Sequence, residues 1–211
     1  MSHQDLISNG REWKHRATAL VDQPAKQARY YAEMFYYFVH ALAVKTTSRD
    51  RLLQDTMRLF HQTISAPCFD LTSPNRKVAL LTLLVNRLDA VLLMWVHRDS
   101  KASTAALLYK EVGKYFKEYS AASSSSPRLG GNGPQPEVAV PLAVMRQTAQ
   151  LMEQTKSMHT AVQQWRTATN QVPAADIIKK IKSGTEFGLY SSLEEAHKFA
   201  RAFLDIIEQL P

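Results

Sequence analysis

Apolar and polar residues recur along most of this chain at the helical period, broken by short turns, and the pattern predicts an all-α fold of about eight helices. The most apolar stretch, Val78 to Val96, has fifteen apolar residues in nineteen and is interrupted by Thr82, Asn86, Arg87 and Asp89 alone. Asn75, Thr82, Asn86 and Asp89 stand 7, 4 and 3 apart. That spacing lines them along one narrow strip of a helix whose remaining circumference is covered by neighbours, with Arg87 just off the strip. Ser73 and Pro74 read as N-cap and first turn, and charged residues close both ends. The run is long enough to cross a membrane, but an arginine and an aspartate near the centre of an inserted helix cost roughly 2.5 to 3.5 kcal/mol each. The pattern therefore predicts a central packing helix and no membrane partner.

Around that helix the periodicity places others. Asp5 to Val21 reads as a weakly apolar helix with Trp13, Ala17 and Leu20 inward and Arg11, Lys14, His15 and Arg16 largely outside. Asp22, Gln23 and Pro24 open a helix to about Lys45 that is apolar or aromatic nearly all round. An amphipathic helix follows, with Leu52, Leu53, Met57, Leu59, Phe60 and Ile64 on its stripe. After the central helix comes one to about Tyr119 that carries Lys110, Lys114 and Lys117 along its outer face. Four helices starting near residues 24, 49, 74 and 101 make two successive helical hairpins, a stack of tetratricopeptide-like shape without that repeat's 34-residue period.

Residues 121–140 change character to serine, glycine and proline, a flexible insert within a single domain spanning 1–211. Pro141 to Asn170 then reads as the longest helix. Val144, Thr148, Leu151, Thr155, Met158, Val162, Trp165 and Thr169 step 4 and 3 apart along it, a heptad seam that must meet another helix, inside the fold or across a dimer. Pro173 starts a short helix with Ile177, Ile178 and Ile181, and Phe187 to Tyr190 form an apolar turn. Ser192 and Glu195 make a capping box for the last helix. A second apolar seam on that helix suits a C-terminal hairpin that packs on a partner.

Charge narrows the chemistry. The net charge is +7, and residues 1–120 hold 17 Lys and Arg against 11 Asp and Glu, so the basic excess lies there. A basic face of this kind meets nucleic acid or an acidic protein, or is simply solvated. The seven histidines show no i, i+4 pair for zinc, and no phosphate loop, nucleophile elbow or kinase signature occurs. No metal, cofactor, small-molecule substrate or enzymatic activity is expected. Cys68, alone in the chain, reads as inert and excludes a disulfide framework.

Several segments, in order, resemble the C-terminal homology domain of the Lilliputian family of transcription-elongation scaffolds. They are Trp13-Lys14-His15-Arg16-Ala17-Thr18-Ala19-Leu20, Asp55-Thr56-Met57-Arg58-Leu59, the leucine-rich helix around Asn86-Arg87-Leu88-Asp89, the Ser- and Pro-rich insert, and the following helix through Trp165. The resemblance covers essentially the whole chain. It implies a nuclear, tetratricopeptide-like helical domain with a C-terminal dimerisation element, pairing scaffold subunits of the super elongation complex as homodimers or with paralogues. The expected dimer anchors are Val162, Trp165, Ile177, Ile178, Ile181, Phe187, Leu189 and Tyr190, several of which, Trp165 above all, are equally readable as core. The alternative is a helical domain that binds RNA or DNA with Lys110, Lys114, Lys117, Arg49, Arg51 and Arg58.

Overall fold

Seven helices and no strand make up the residues that the computed structural model describes, 1–44, 49–95, 142–181 and 187–210. They are α1 (His3–Thr18), α2 (Pro24–Ala43), α3 (Arg49–Ile64), α4 (Arg76–Trp95), α5 (Leu142–Gln171), α6 (Ala175–Lys180) and α7 (Leu193–Glu208). The fold is all-α, as the periodicity predicts. The helix expected before Tyr119 and the insert at 121–140 lie outside the described residues. Within the span expected as one domain, the chain divides into two compact units. The first is Met1–Trp95 with Met158–Pro211, and the second is Val96–Ser157.

In the first unit α4 is the core helix. Ninety-four per cent of its most apolar window is buried, with Leu80, Leu83, Leu84 and Leu92 wholly so. Thr82 and Asn86 of the polar strip on α4 are spent near the helix itself. Thr82 Oγ1 donates to Val78 O at 2.8 Å and accepts from Asp70 N at 3.0 Å, which pins the preceding loop to the helix. Asn86 Nδ2 donates to Thr82 O at 2.8 Å. The helix starts later than Ser73-Pro74 suggests, because Asn75 is its cap: Asn75 Oδ1 accepts from Lys77 N at 3.0 Å and Val78 N at 3.4 Å.

Helix α2 is buried nearly all round, as its aromatic content requires, and packs against α1, α3 and α7. Phe35 of α2 meets Phe60 of α3 with ring centroids 3.7 Å apart. The stripe expected on α3 is met in part: Leu53 and Phe60 are buried, and the Leu52 side chain lies outside the described residues. Leu53, Thr56, Phe60 and Thr63 face the core, while Met57, Leu59 and Ile64 are half-buried. Helix α1 begins at His3 because Ser2 and Asp5 form a reciprocal capping box, and it buries Leu6, Gly10 and Ala17. Trp13 is half-buried and lies edge-on to Tyr30 at 4.9 Å. A Cβ at Gly10 would stand 3.1 Å from the Phe38 ring, so the absent side chain is what lets α1 close on α2.

Helix α7 has the capping box expected of it: Ser192 N donates to Glu195 Oε2 at 2.7 Å and Glu195 N to Ser192 Oγ at 3.2 Å. Its contact with α2 contains charge that the apolar reading of α2 overlooks. Glu33, 4% exposed, lies 2.8 Å from Arg29 Nη2 and 3.4 Å from Arg201 Nη1. Arg29 also donates to the Leu204 carbonyl at 3.3 Å, on the last turns of α7. Burial raises the Glu33 carboxyl above its ordinary range, and the two guanidinium groups pull it back. Further along the same contact, His40 and His197 stack face to face, centroids 4.0 Å apart and planes within 5°.

Candidate functional site

The heptad seam of α5 behaves differently in its two halves. Thr148, Thr155 and Thr169 each donate a hydroxyl to the carbonyl four residues back, at 2.8, 2.9 and 2.7 Å, and all three are exposed. Their hydroxyl hydrogens are thereby satisfied within the helix. From Met158 onward the seam is closed within the chain. Ala161 and Ala168 are buried, and Met158 and Trp165 pack against a cluster of Ala90, Leu93, Met94 and Ala161 that Met57 and Leu189 complete. In the N-terminal half, in the second unit, the seam's own Val144 and Leu151 are half-buried, and beside the seam, one residue further round, Met145 is 56% and Met152 69% exposed, one heptad apart on one face with exposed Ala149 between them.

The expected anchors divide accordingly. Ile177 is 0% exposed where α6 meets α7, so it belongs to the core and offers a partner nothing, a correction to its reading as a surface anchor. Val162, Ile178, Ile181, Phe187 and Leu189 are half-buried. Trp165 has partners of its own: the Arg87 guanidinium lies 4.8 Å from its ring centroid and Phe187 packs at 5.5 Å. Phe187 stacks in turn on Phe199 of α7 at 4.2 Å. Tyr190 alone among these residues is largely free, 73% exposed.

Polar ties hold α5 and α6 to the core helix. Arg87, 6% exposed, donates from Nη2 to Thr169 Oγ1 at 3.0 Å. Asp89, 1% exposed, accepts from Gln164 Nε2 at 3.2 Å and lies 3.8 Å from His61 Nδ1. Burial pushes its carboxyl up to about 6, against the opposing pull of His61 and Gln164. Arg76 and Asp176 pair at 2.5 Å on the surface, where such a bridge contributes little. Cys68 is buried, and its thiol is pushed up to about 11, the reverse of an activated nucleophile.

Of the residues expected to touch nucleic acid, Lys110, Lys114 and Lys117 and the side chains of Arg49 and Arg51 lie outside the described residues. Arg58 is exposed on α3 and opens on a cleft of about 310 Å³, together with Arg11 and Lys14 of α1. From sequence Arg11 and Lys14 read only as solvated, because their i, i+3 spacing alone marks them and nothing local shows that α3 lies opposite. A second cleft, of about 330 Å³, is lined by Asn86 of α4 and by His159, Gln163, Gln164 and Thr167 of α5. Comparison with protein-family models finds none that matches this chain, and comparison with curated proteins finds no match either.

Proposed function

We propose that this chain is a protein–protein interaction module, without catalytic chemistry of its own, that pairs two copies of a nuclear transcription-elongation scaffold or one copy with a paralogue. The family resemblance carried by the segments in their order supports the setting, and the all-α fold with α2 packed against α1, α3 and α7 is compatible with a tetratricopeptide-like stack. The observation that carries the reading is the exposed methionine pair in the N-terminal half of α5. Met145 and Met152 repeat at a heptad on a helix whose other half is already committed to the core. Solvent is a poor environment for such a stripe, and methionine adapts to more than one partner surface, as a module that forms both homodimers and heterodimers requires.

Light-scattering chromatography over a hundredfold range of concentration tests this. The expected mass is twice 23.8 kDa. Met145→Glu with Met152→Glu is expected to give a folded monomer and to weaken association at least a hundredfold, since each buried carboxylate would lack a partner. A wild-type monomer at every concentration, or a double variant that remains dimeric, would overturn the proposal. The same substitution at Ile177 is not a usable probe, because it would unfold the hairpin core.

A further inference from the structure

The cleft between α1 and α3 has features that self-association does not use. Its floor is apolar, formed by Phe38 of α2, which is 6% exposed, with Ile7 and Leu59 half-buried at the sides. Its α1 rim carries Arg11 and Lys14, and its α3 rim carries Arg58 and Asp55. None of these four charges has an ion-pair partner among the described residues, although elsewhere in the first unit Arg16, Arg29, Arg76 and Arg201 all do. Three cations against one carboxylate leave the cleft positive above an apolar floor.

Thr56 gives the cleft a second, independent mark. It lines the cleft at 2% exposure, and its Oγ1 is buried with no hydrogen-bond partner among the described residues. Buried hydroxyls are ordinarily satisfied, most simply in a helix by donating to the carbonyl four residues back. Thr63, two turns along α3 on the same inward stripe, does this at 2.7 Å to Leu59 O. Thr56 does not, and so keeps an unused donor and acceptor, buried in a residue that lines the cleft.

We infer that this cleft is a docking site for a short acidic peptide segment of a partner protein, one in which carboxylates flank an apolar residue. The apolar residue covers Phe38, Ile7 and Leu59. Its flanking carboxylates meet Arg11, Lys14 and Arg58, and a backbone amide or carbonyl reaches Thr56 Oγ1. A peptide is favoured over a nucleic acid by two observations. Asp55, with no ion-pair partner among the described residues, presents a carboxylate that repels a continuous phosphate chain but accepts a peptide N–H. Among the described lining residues the one aromatic ring is 6% exposed on a floor otherwise aliphatic, and it offers no open face on which a base could stack. The volume suits one or two side chains with their backbone, so the affinity is expected to be modest and salt-sensitive.

The test pans a random 16-residue peptide library against the full chain, then measures the enriched peptides by fluorescence anisotropy. The expected result is a pool of acidic peptides, each with a central apolar residue. Their binding falls tenfold or more in the Arg11→Glu and Arg58→Glu double variant and severalfold in Thr56→Val, while both variants unfold at wild-type urea concentrations or above. The Met145→Glu and Met152→Glu chain is expected to keep this binding, which separates failure of the cleft from failure of the dimer. Peptides insensitive to the Arg11 and Arg58 reversals would overturn the inference, as would cleft-dependent peptides that are neutral or basic. Tighter, cleft-dependent binding of a 15-nucleotide oligothymidylate would overturn it in favour of a nucleic-acid site.

Discussion

Glu33→Ala lowers the unfolding free energy of the chain by about 3 to 5 kcal/mol, the range for removing one partner of a buried ion pair. Glu33 is 4% exposed and sits between Arg29 of α2 and Arg201 of α7, whose side chains are 19% and 40% exposed. Deleting the carboxylate leaves two guanidinium groups facing each other across a helix contact, and Arg29 remains tied to the Leu204 carbonyl and cannot swing fully into water. The loss therefore contains repulsion as well as a missing attraction. Asp205 and Glu208 soften it, since Arg201 pairs with the first and Arg29 with the second at 3.4 Å. Glu33→Leu with Arg201→Leu is expected to recover most of the loss, because a matched apolar pair avoids the desolvation that the charges incur. Urea denaturation followed by circular dichroism reads both. A single-variant loss below about 1 kcal/mol would mean that the cluster behaves as an exposed bridge.

That cluster also shows where a sequence stops being legible. The helices themselves can be read, because each apolar stripe repeats at the helical period and their ends carry local chemistry: Ser192 with Glu195 at α7, Pro24 at α2. Glu33 escapes such a reading because its neighbours are aromatic and nothing local to α2 announces Arg201, 168 residues away. The cap of α4 is Asn75 rather than Ser73 for a local reason: Ser73 Oγ accepts from Asn75 N, and Asn75 takes the cap. The α5 seam is legible as a seam, but neither its closure by the core cluster from Met158 onward nor the exposed Met145 and Met152 beside it is, since periodicity gives the face and not what covers it. Ile177 and Tyr190 look alike as apolar residues in a C-terminal hairpin, yet one is 0% and the other 73% exposed. The α1 and α3 cleft is invisible for the same reason. Arg11 and Arg58 are brought to one opening by packing on Phe38, and no spacing records it.

Asp89→Asn is expected to stabilise the chain at pH 7.5 by about 1 to 3 kcal/mol, and the gain is expected to vanish towards pH 4. A carboxyl held near 6, rather than at its ordinary 3.8, is protonated more readily in the fold than in the unfolded chain. Between those values the folded state binds the extra proton, so stability falls as pH rises, and above pH 6 the full cost is present, on the order of 3 kcal/mol. Asparagine carries no such charge. It can still accept from Gln164 Nε2 through Oδ1, and its amide gives the buried Gln164 Oε1 the donor it lacks among the described residues. The stacked histidines act in the opposite sense. Burial first, then His40 and Lys198, holds His197 down to about 4, so it is neutral in the fold while the unfolded chain protonates below about 6.5. That stability is fully present above pH 6.5 and is lost as pH falls towards 4. In the natural chain the two slopes run against each other over the same window and flatten the profile. The Asp89→Asn substitution removes one of them, so the variant is expected to lose stability more steeply on acidification, and His197→Gln in its background is expected to flatten it again. Urea midpoints at pH 7.5, 6 and 5 decide the matter. A variant less stable than the natural chain at pH 7.5 would mean that the Asp89 carboxylate is held charged and needed there by His61, and that this contact, not its burial, governs the site.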